Sequence, residues 1–204
     1  MINNITIKDS NQFKNVYYKL KKEYPNKKII LYIKIAKTAG RQTVELLNKY
    51  LPNEYLIINP LNIQKILIDN YDLIKECYII SSVRNPYYRY LSGCFHLNLN
   101  ILNNINKKET NMLIYKHIHI SQYDTISYKN KLITDFIIYH ENYYENICKL
   151  FKYLNIELDN NDHYKLKNYK NKNKQYKSII KQNFIIKGLL KKKFYNDFNY
   201  IYNK

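Results

Sequence analysis

Apolar positions in this chain come in short continuous runs separated by helical stripes. Ile29-Ile30-Leu31-Tyr32-Ile33, Tyr55-Leu56-Ile57-Ile58 and Cys77-Tyr78-Ile79-Ile80 are unbroken apolar runs. Runs of that length read as strands buried on both faces, the kind found in parallel sheets. They predict strands over Lys28–Ile35, Tyr55–Ile58 and Glu76–Val83. Between and after them the apolar period lengthens to that of a helix. Helices are predicted over Thr38–Tyr50 (stopped by Pro52), Leu61–Tyr71 and Tyr87–Leu99, the last entered through Pro86, where a missing N–H costs nothing. Strand–helix three times over residues 28–99 is the pattern of an α/β sheet with right-handed crossovers.

The flanks are less regular. Asn11–Tyr24 reads as a short helix ended by Pro25, within a polar, basic N-terminal extension over 1–27. Residues 100–131 are Asn- and Lys-rich and predict no clear element. Leu132–Tyr139 reads as a further strand, and Tyr143–Leu154 as an amphipathic helix with Ile147, Leu150, Phe151 and Leu154 on one face. Residues 159–175 read as a polar, Lys/Asn-dense loop, and helical patterning resumes over Tyr176–Phe194. The aromatic terminus, Phe194 to Tyr200, is expected to pack down. At 204 residues, the chain is read as one domain spanning 1–204.

Charge changes the picture in one respect. The 34 Lys+Arg outnumber the 16 Asp+Glu, giving a formal net charge of +18, which favours acidic partners. Lys, Asn, Ile and Tyr are residues of A/T-rich codons, so a biased genome, viral or protist, accounts for part of the lysine surplus. Arginine is different: Arg41, Arg84 and Arg89 are the only three. A retained arginine in a lysine-using chain points to a need for a planar bidentate donor. Cys77, Cys94 and Cys148 are far apart, with no CxxC pair, so neither a zinc site nor a disulfide framework is expected. No leader-like h-region opens the chain and no stretch of 18 apolar residues occurs, so the expectation is a soluble, cytoplasmic protein without a transmembrane segment.

Two of the strand ends carry candidate chemistry. Lys37-Thr38-Ala39-Gly40-Arg41-Gln42 joins the first strand to its helix. A helix N-terminus after a small-residue turn binds anions through its unpaired N–H groups and its dipole, and Lys37 and Arg41 add full charges. The turn is not a GxxxxGK[ST] loop, which disfavours an ordinary kinase or ATPase. The second is Val83-Arg84-Asn85-Pro86-Tyr87-Tyr88-Arg89-Tyr90-Leu91-Ser92. Arg84 leaves a strand end and Ser92 lies about two turns along the next helix, so the pair can grip a second phosphate.

Together these segments resemble the two signatures of sulfotransferases that use 3′-phosphoadenosine 5′-phosphosulfate (PAPS), most closely the Golgi-type carbohydrate enzymes. The first signature, approximately I-P-K-T-G-G-T-S, corresponds to Ile35–Gln42, with Ala36 in place of proline and Arg41-Gln42 in place of Thr-Ser. The second, V-R-[DN]-P-x-x-R-x-x-S, is matched in full by Val83–Ser92. Asp135-Phe136, Glu141-Asn142 and the terminal aromatics resemble the C-terminal half of that family. The resemblance implies an α/β, P-loop-like three-layer fold with a central, mostly parallel sheet flanked by helices. It makes 28–99 a cofactor-binding core completed by a helical, loop-rich 100–204. It implies sulfuryl transfer from PAPS to an acceptor hydroxyl, on a carbohydrate, without a metal. Lys37 would face the leaving oxygen, Thr38, Ala39, Gly40, Arg41 and Gln42 the 5′-phosphate, and Arg84 and Ser92 the 3′-phosphate. The general base is left open among Glu54, Glu45 and His96. Nucleic-acid binding through interleaved Lys and Tyr, or nucleotide binding without catalysis, are the alternatives. Lys165–Lys174 is a candidate cover for the nucleotide or contact for an anionic acceptor.

Overall fold

A computed structural model describes residues 6–51, 55–58, 60–168 and 173–203. The architecture is α/β. Five strands form a parallel sheet in the order β1-β3-β2-β4-β7, flanked by helices. The strands are β1 (Thr6–Ile7), β2 (Ile30–Ile33), β3 (Tyr55–Ile58), β4 (Tyr78–Val83) and β7 (Phe136–Tyr139). A separate antiparallel pair joins β5 (Ser127–Tyr128) and β6 (Lys131–Leu132). Every residue of β2, β3 and β4 is buried, as their unbroken apolar runs require of a sheet covered on both faces.

The chain forms two compact units. The first takes in residues up to Ile35, Ala39–Ser82 and Thr125–Ile137. It holds most of the sheet with α1 (Ser10–Glu23), α2 (Gly40–Tyr50) and α3 (Ile63–Lys75). The N-terminal segment read as an extension is part of this unit. Thr6 and Ile7 pair with Ile57 and Ile58 of β3, and α1 buries Phe13, Tyr17 and Leu20 while packing on α3. Local chemistry explains α1: the Asp9 side chain accepts from the Gln12 N–H at 2.8 Å, and Gln12 Oε1 accepts from Lys8 N–H at 2.8 Å. That reciprocal pair satisfies donors that a helix start leaves open.

The strand expected over Leu132–Tyr139 is shorter, covering Phe136–Tyr139 only. Lys131 and Leu132 instead fold back on Tyr128 and Ser127, across a turn in which Lys129 and Asn130 both take positive φ, 49° and 61°. Two consecutive left-handed residues are what a tight hairpin demands.

The second unit comprises Ala36–Thr38, Val83–Asp124 and the chain from Ile138 on. Its helices include α4 (Pro86–His96), α5 (Ile101–Ile105) and α6 (Met112–Ile114), which runs into a π-turn at Tyr115–His119. Then follow α7 (Gln122–Ile126, which crosses between units), α8 (Tyr143–Tyr153), α9 (Asn160–Lys167), α10 (Asn173–Gln182), α11 (Phe184–Lys193) and α12 (Tyr195–Asp197). One expectation is corrected here. The polar stretch 159–175 contains α9, started by an Asp159 side chain that accepts from Asp162 N–H at 2.7 Å. The helical pattern expected over Tyr176–Phe194 is carried by two helices, because the Asn183 side chain caps a new start by accepting from Ile186 N–H at 3.0 Å. Asparagine competes well for such positions and interrupts a helix where it wins. The unit's core joins Tyr90, Leu91 and Cys94 of α4 to Tyr176, Ile180, Ile186, Leu190, Phe194 and Phe198, so the aromatic terminus does pack down.

Strand order changes direction between β2 and β4. From β2 the chain leaves through α2 to β3 on one side, and from β4 it leaves through residues 84–135 to β7 on the other. Ligands of open α/β sheets bind at such a switch point, beyond the carboxyl ends of the strands.

Candidate functional site

The β2–α2 connection is strained. Lys37 and Ala39 both have φ of 67°, a region that side chains with a Cβ rarely enter. Such conformations cost about 1–3 kcal/mol each and collect at functional sites. Gly40 follows because the helix start presses on the strand it came from: a Cβ there would lie 3.1 Å from Lys34 Cγ and 3.5 Å from the Ile35 carbonyl oxygen. Ala39 caps α2 without a side-chain hydrogen bond. By contrast, Asp9, Asn85, Asn100 and Asn183 each cap their helices through a side-chain oxygen. The first-turn amides of α2 therefore meet no capping oxygen from their own N-cap residue, the arrangement that suits an incoming anion. In the same turn Gln42 Oε1 is buried with no hydrogen-bond partner. Arg41 and Glu45 are exposed on α2.

Beneath this turn, within the first unit, lies a hydroxyl cluster that hydropathy does not reveal. Tyr32 is fully buried, and its hydroxyl meets Ser82 Oγ at 2.8 Å. Ser82 Oγ also lies 3.5 Å from Thr43 Oγ1, and Ser81 Oγ donates to the Ile33 carbonyl at 2.9 Å. Burial pushes the Tyr32 phenol up to about 12.

Lys37, Thr38, Arg84 and Ser92 all lie in the second unit. Thr38 is fully buried and Lys37 half-buried. Arg84 is 4 % exposed. Its Nη1 donates to the Lys37 carbonyl at 3.3 Å, and its guanidinium lies 5.4 Å from the Tyr176 ring centre. One arginine thus reaches from the second signature to the first. Its backbone is clamped by the Gln122 side chain: Arg84 N–H donates to Gln122 Oε1 and Gln122 Nε2 donates to the Arg84 carbonyl, both at 2.8 Å. Gln122 is anchored in turn by Asp197, a fully buried carboxylate accepting from Gln122 N–H, Tyr123 N–H and Ser121 Oγ. Burial pushes the Asp197 carboxyl up, against the pull of Arg89 and these donors.

The start of α4 is equally built. The Asn85 side chain accepts from Tyr87 N–H at 3.1 Å, and Glu141 Oε1 accepts from Asn85 N–H at 2.8 Å. Ser92 is buried on α4, about 9 Å along the axis from Pro86 at the usual rise. Next to it Gly93 is pressed against the π-turn, where a Cβ would lie 2.4 Å from Ile118 Cγ2 and 2.7 Å from the His117 carbonyl oxygen. Arg89 is fully buried and donates to the carbonyls of His117 and Ile120. It therefore holds the π-turn against α4, a structural task.

That turn presents His117, a residue not among the candidates from sequence. Its Nδ1 pairs with the Leu113 carbonyl at 2.8 Å, which makes Nδ1 the protonated nitrogen and leaves Nε2 basic. Burial holds the ring below the usual imidazole range. The Leu113 bond opposes this, while the charges of His96, Lys116 and Lys37 reinforce it. His96 is exposed, its ring 5.2 Å from that of His117. Glu54, the other acidic candidate for the base, lies outside the described residues, as do Lys170 and Lys172. Among the described residues no three His, Cys, Asp or Glu side chains could hold a metal ion, and no helix is long and apolar enough to cross a membrane.

Sequence periodicity could not find Tyr176, Gln122, Asp197 or His117, because their roles depend on segments distant in the chain. The one local signal was the expectation that the terminal aromatic stretch, which contains Asp197, packs down.

No protein-family model, curated protein or solved structure matches the chain.

Proposed function

We propose that this chain is a PAPS-dependent sulfotransferase with a P-loop-like cofactor site, acting on a hydroxyl of a carbohydrate. The observation that carries the reading is the Arg84–Lys37 contact. It brings Lys37 of the first signature-like segment and Arg84 of the second into contact within the second unit. The residues fit the cofactor on two further counts: the cap of α2 without a side-chain bond and a buried arginine over an aromatic ring. A guanidinium has five N–H donors, enough to hold the Lys37 carbonyl and a phosphate together.

Once bound, the cofactor supplies the sulfuryl group. Transfer of this kind depends on positioning and on neutralising charge at the leaving oxygen. Lys37 serves that oxygen as a point charge. The chain continues from Thr38 into the first turn of α2, whose amides, up to Gln42, hold the 5′-phosphate. Arg84 and Ser92 hold the 3′-phosphate, with Gln122 and Asp197 fixing the Arg84 backbone. His117 Nε2 takes the proton from the acceptor hydroxyl; the orienting bond from Nδ1 to the Leu113 carbonyl favours it over exposed Glu45 and His96.

Thermal shift with adenosine 3′,5′-bisphosphate, ATP and an oligonucleotide in parallel tests the reading. The bisphosphate is expected to stabilise the protein most, and Arg84→Ala to weaken its binding roughly 10- to 150-fold, the loss of about 1.5–3 kcal/mol in charged hydrogen bonds. A folded protein that ignores the bisphosphate would remove the proposal. The base has its own test. A lowered imidazole pKa keeps His117 neutral at pH 7, so kcat/KM should hold level there and fall only as pH drops below about 6.5, where protonation removes the base. His117→Gln should flatten that acid limb and slow turnover by about 10²- to 10⁴-fold. An unchanged pH profile in the variant would assign the base elsewhere.

A further inference from the structure

Two strongly exposed large apolar side chains stand side by side at the start of α11: Phe184 is 80 % exposed and Ile185 70 %. Both lie outside the candidate site. The rest of the outer face of α11 is open and basic. A Cβ added at Gly188 would meet nothing within 4 Å, and Lys187, Lys191 and Lys192 are exposed. At a helical period Phe184 and Gly188 share one line, with Ile185 and Lys192 on one side of it and Lys187 and Lys191 on the other. Ile186 and Leu190, on the opposite face, are buried in the core.

The sequence on either side of α11 carries one sign of charge. Between Asp162 and Asp197 the sequence has eleven lysines and no carboxylate, and both bounding aspartates are buried. The elements that α11 packs against are α10, α4, α5 and α12. The first three contain no Asp or Glu, and α12 contains only the buried Asp197. Leu102 of α5, 50 % exposed, adds apolar surface on a helix packed against α11.

We propose that the α11 face is a docking surface for an anionic lipid bilayer, with Phe184 and Ile185 entering the interface and the lysines facing the headgroups. Apolar tips ringed by lysine on a short helix are what peripheral binding uses: burial of the tips plus electrostatic attraction. A nucleic acid fits less well, because Ile185 offers no ring for base stacking. The inference does not depend on the reading of the cofactor site.

Cosedimentation of the whole chain with extruded vesicles decides it. Vesicles of phosphatidylcholine with about one-third phosphatidylserine should bind the protein, and pure phosphatidylcholine should bind it at least tenfold more weakly. Phe184→Asp/Ile185→Asp should reduce binding tenfold or more without altering the melting temperature, since neither side chain is packed. Gly188→Leu, which adds an apolar group on the open line, should increase it. Lys191→Ala and Lys192→Ala should each cost about fivefold. Equal binding to both vesicle types, or an aspartate double variant that binds like the parent, would overturn the proposal. So would an oligonucleotide that binds the same face and is insensitive to the aspartates, which would make the surface a nucleic-acid interface.

Discussion

Asp197→Ala is expected to cost about 3–5 kcal/mol of folding stability, the usual price of stranding a buried charge. Asp197 is fully buried and answers several donors together: Ser121 Oγ and Tyr123 N–H at 2.8 Å and Gln122 N–H at 3.1 Å. Its charge also offsets that of Arg89, which is fully buried as well. Alanine removes the acceptor and leaves both the donors and the guanidinium uncompensated, while the Arg89 contacts to the π-turn carbonyls remain. Domains are stable by about 5–15 kcal/mol in all, so the loss is a large share. Asp197→Asn retains an acceptor oxygen but no charge, and should fall between parent and alanine. Urea titration measures all three. An alanine variant within about 1 kcal/mol of the parent would show that the carboxylate does not organise the unit. Because Asp197 anchors Gln122, and Gln122 clamps Arg84, the variants that still fold should also lose nucleotide affinity.

Lys37→Ala should slow turnover by about 10²- to 10³-fold, as loss of one preorganised charge at a developing anion does elsewhere. Alanine is the informative choice because it keeps a Cβ in the left-handed conformation and so leaves the turn's strain in place. Lys37→Gly relieves that strain and removes the same charge. Equal losses in the two variants would assign the effect to the ammonium; a loss confined to one would assign it to the backbone. Lys37→Arg should recover only part of the rate, since a planar fork does not replace a compact charge. Initial rates of adenosine 3′,5′-bisphosphate formation from PAPS report each case. Turnover unchanged in Lys37→Ala would end the proposed role of this residue.

The central elements were legible because their signals are local. Tyr55–Ile58 falls where the apolar run placed it, and Tyr78–Val83 and Pro86–His96 fall within two or three residues of expectation. The misses have physical causes of the same local kind. Asp159 starts a helix inside a stretch whose composition reads as loop, and Asn183 divides one that reads as helical. Lys129-Asn130 turns the chain just before the stretch that reads as a strand, so that Leu132 pairs back with Ser127 instead of joining it. Thr6-Ile7 is too short to register as a strand, and exists because β3 offers it an edge.

Periodicity and two short segments thus determined by themselves an α/β core and the two strand ends where anion chemistry could lie. Contiguous residues encode such features, and a strand buried on both faces must be apolar throughout. Tertiary structure alone decided how the segments are joined. The Arg84 bond to the Lys37 carbonyl, the Gln122 clamp with its Asp197 anchor, and His117 beside α4 all pair residues far apart in sequence. No periodicity carries those pairings, because a hydrogen bond between distant segments leaves no mark on the neighbours of either partner.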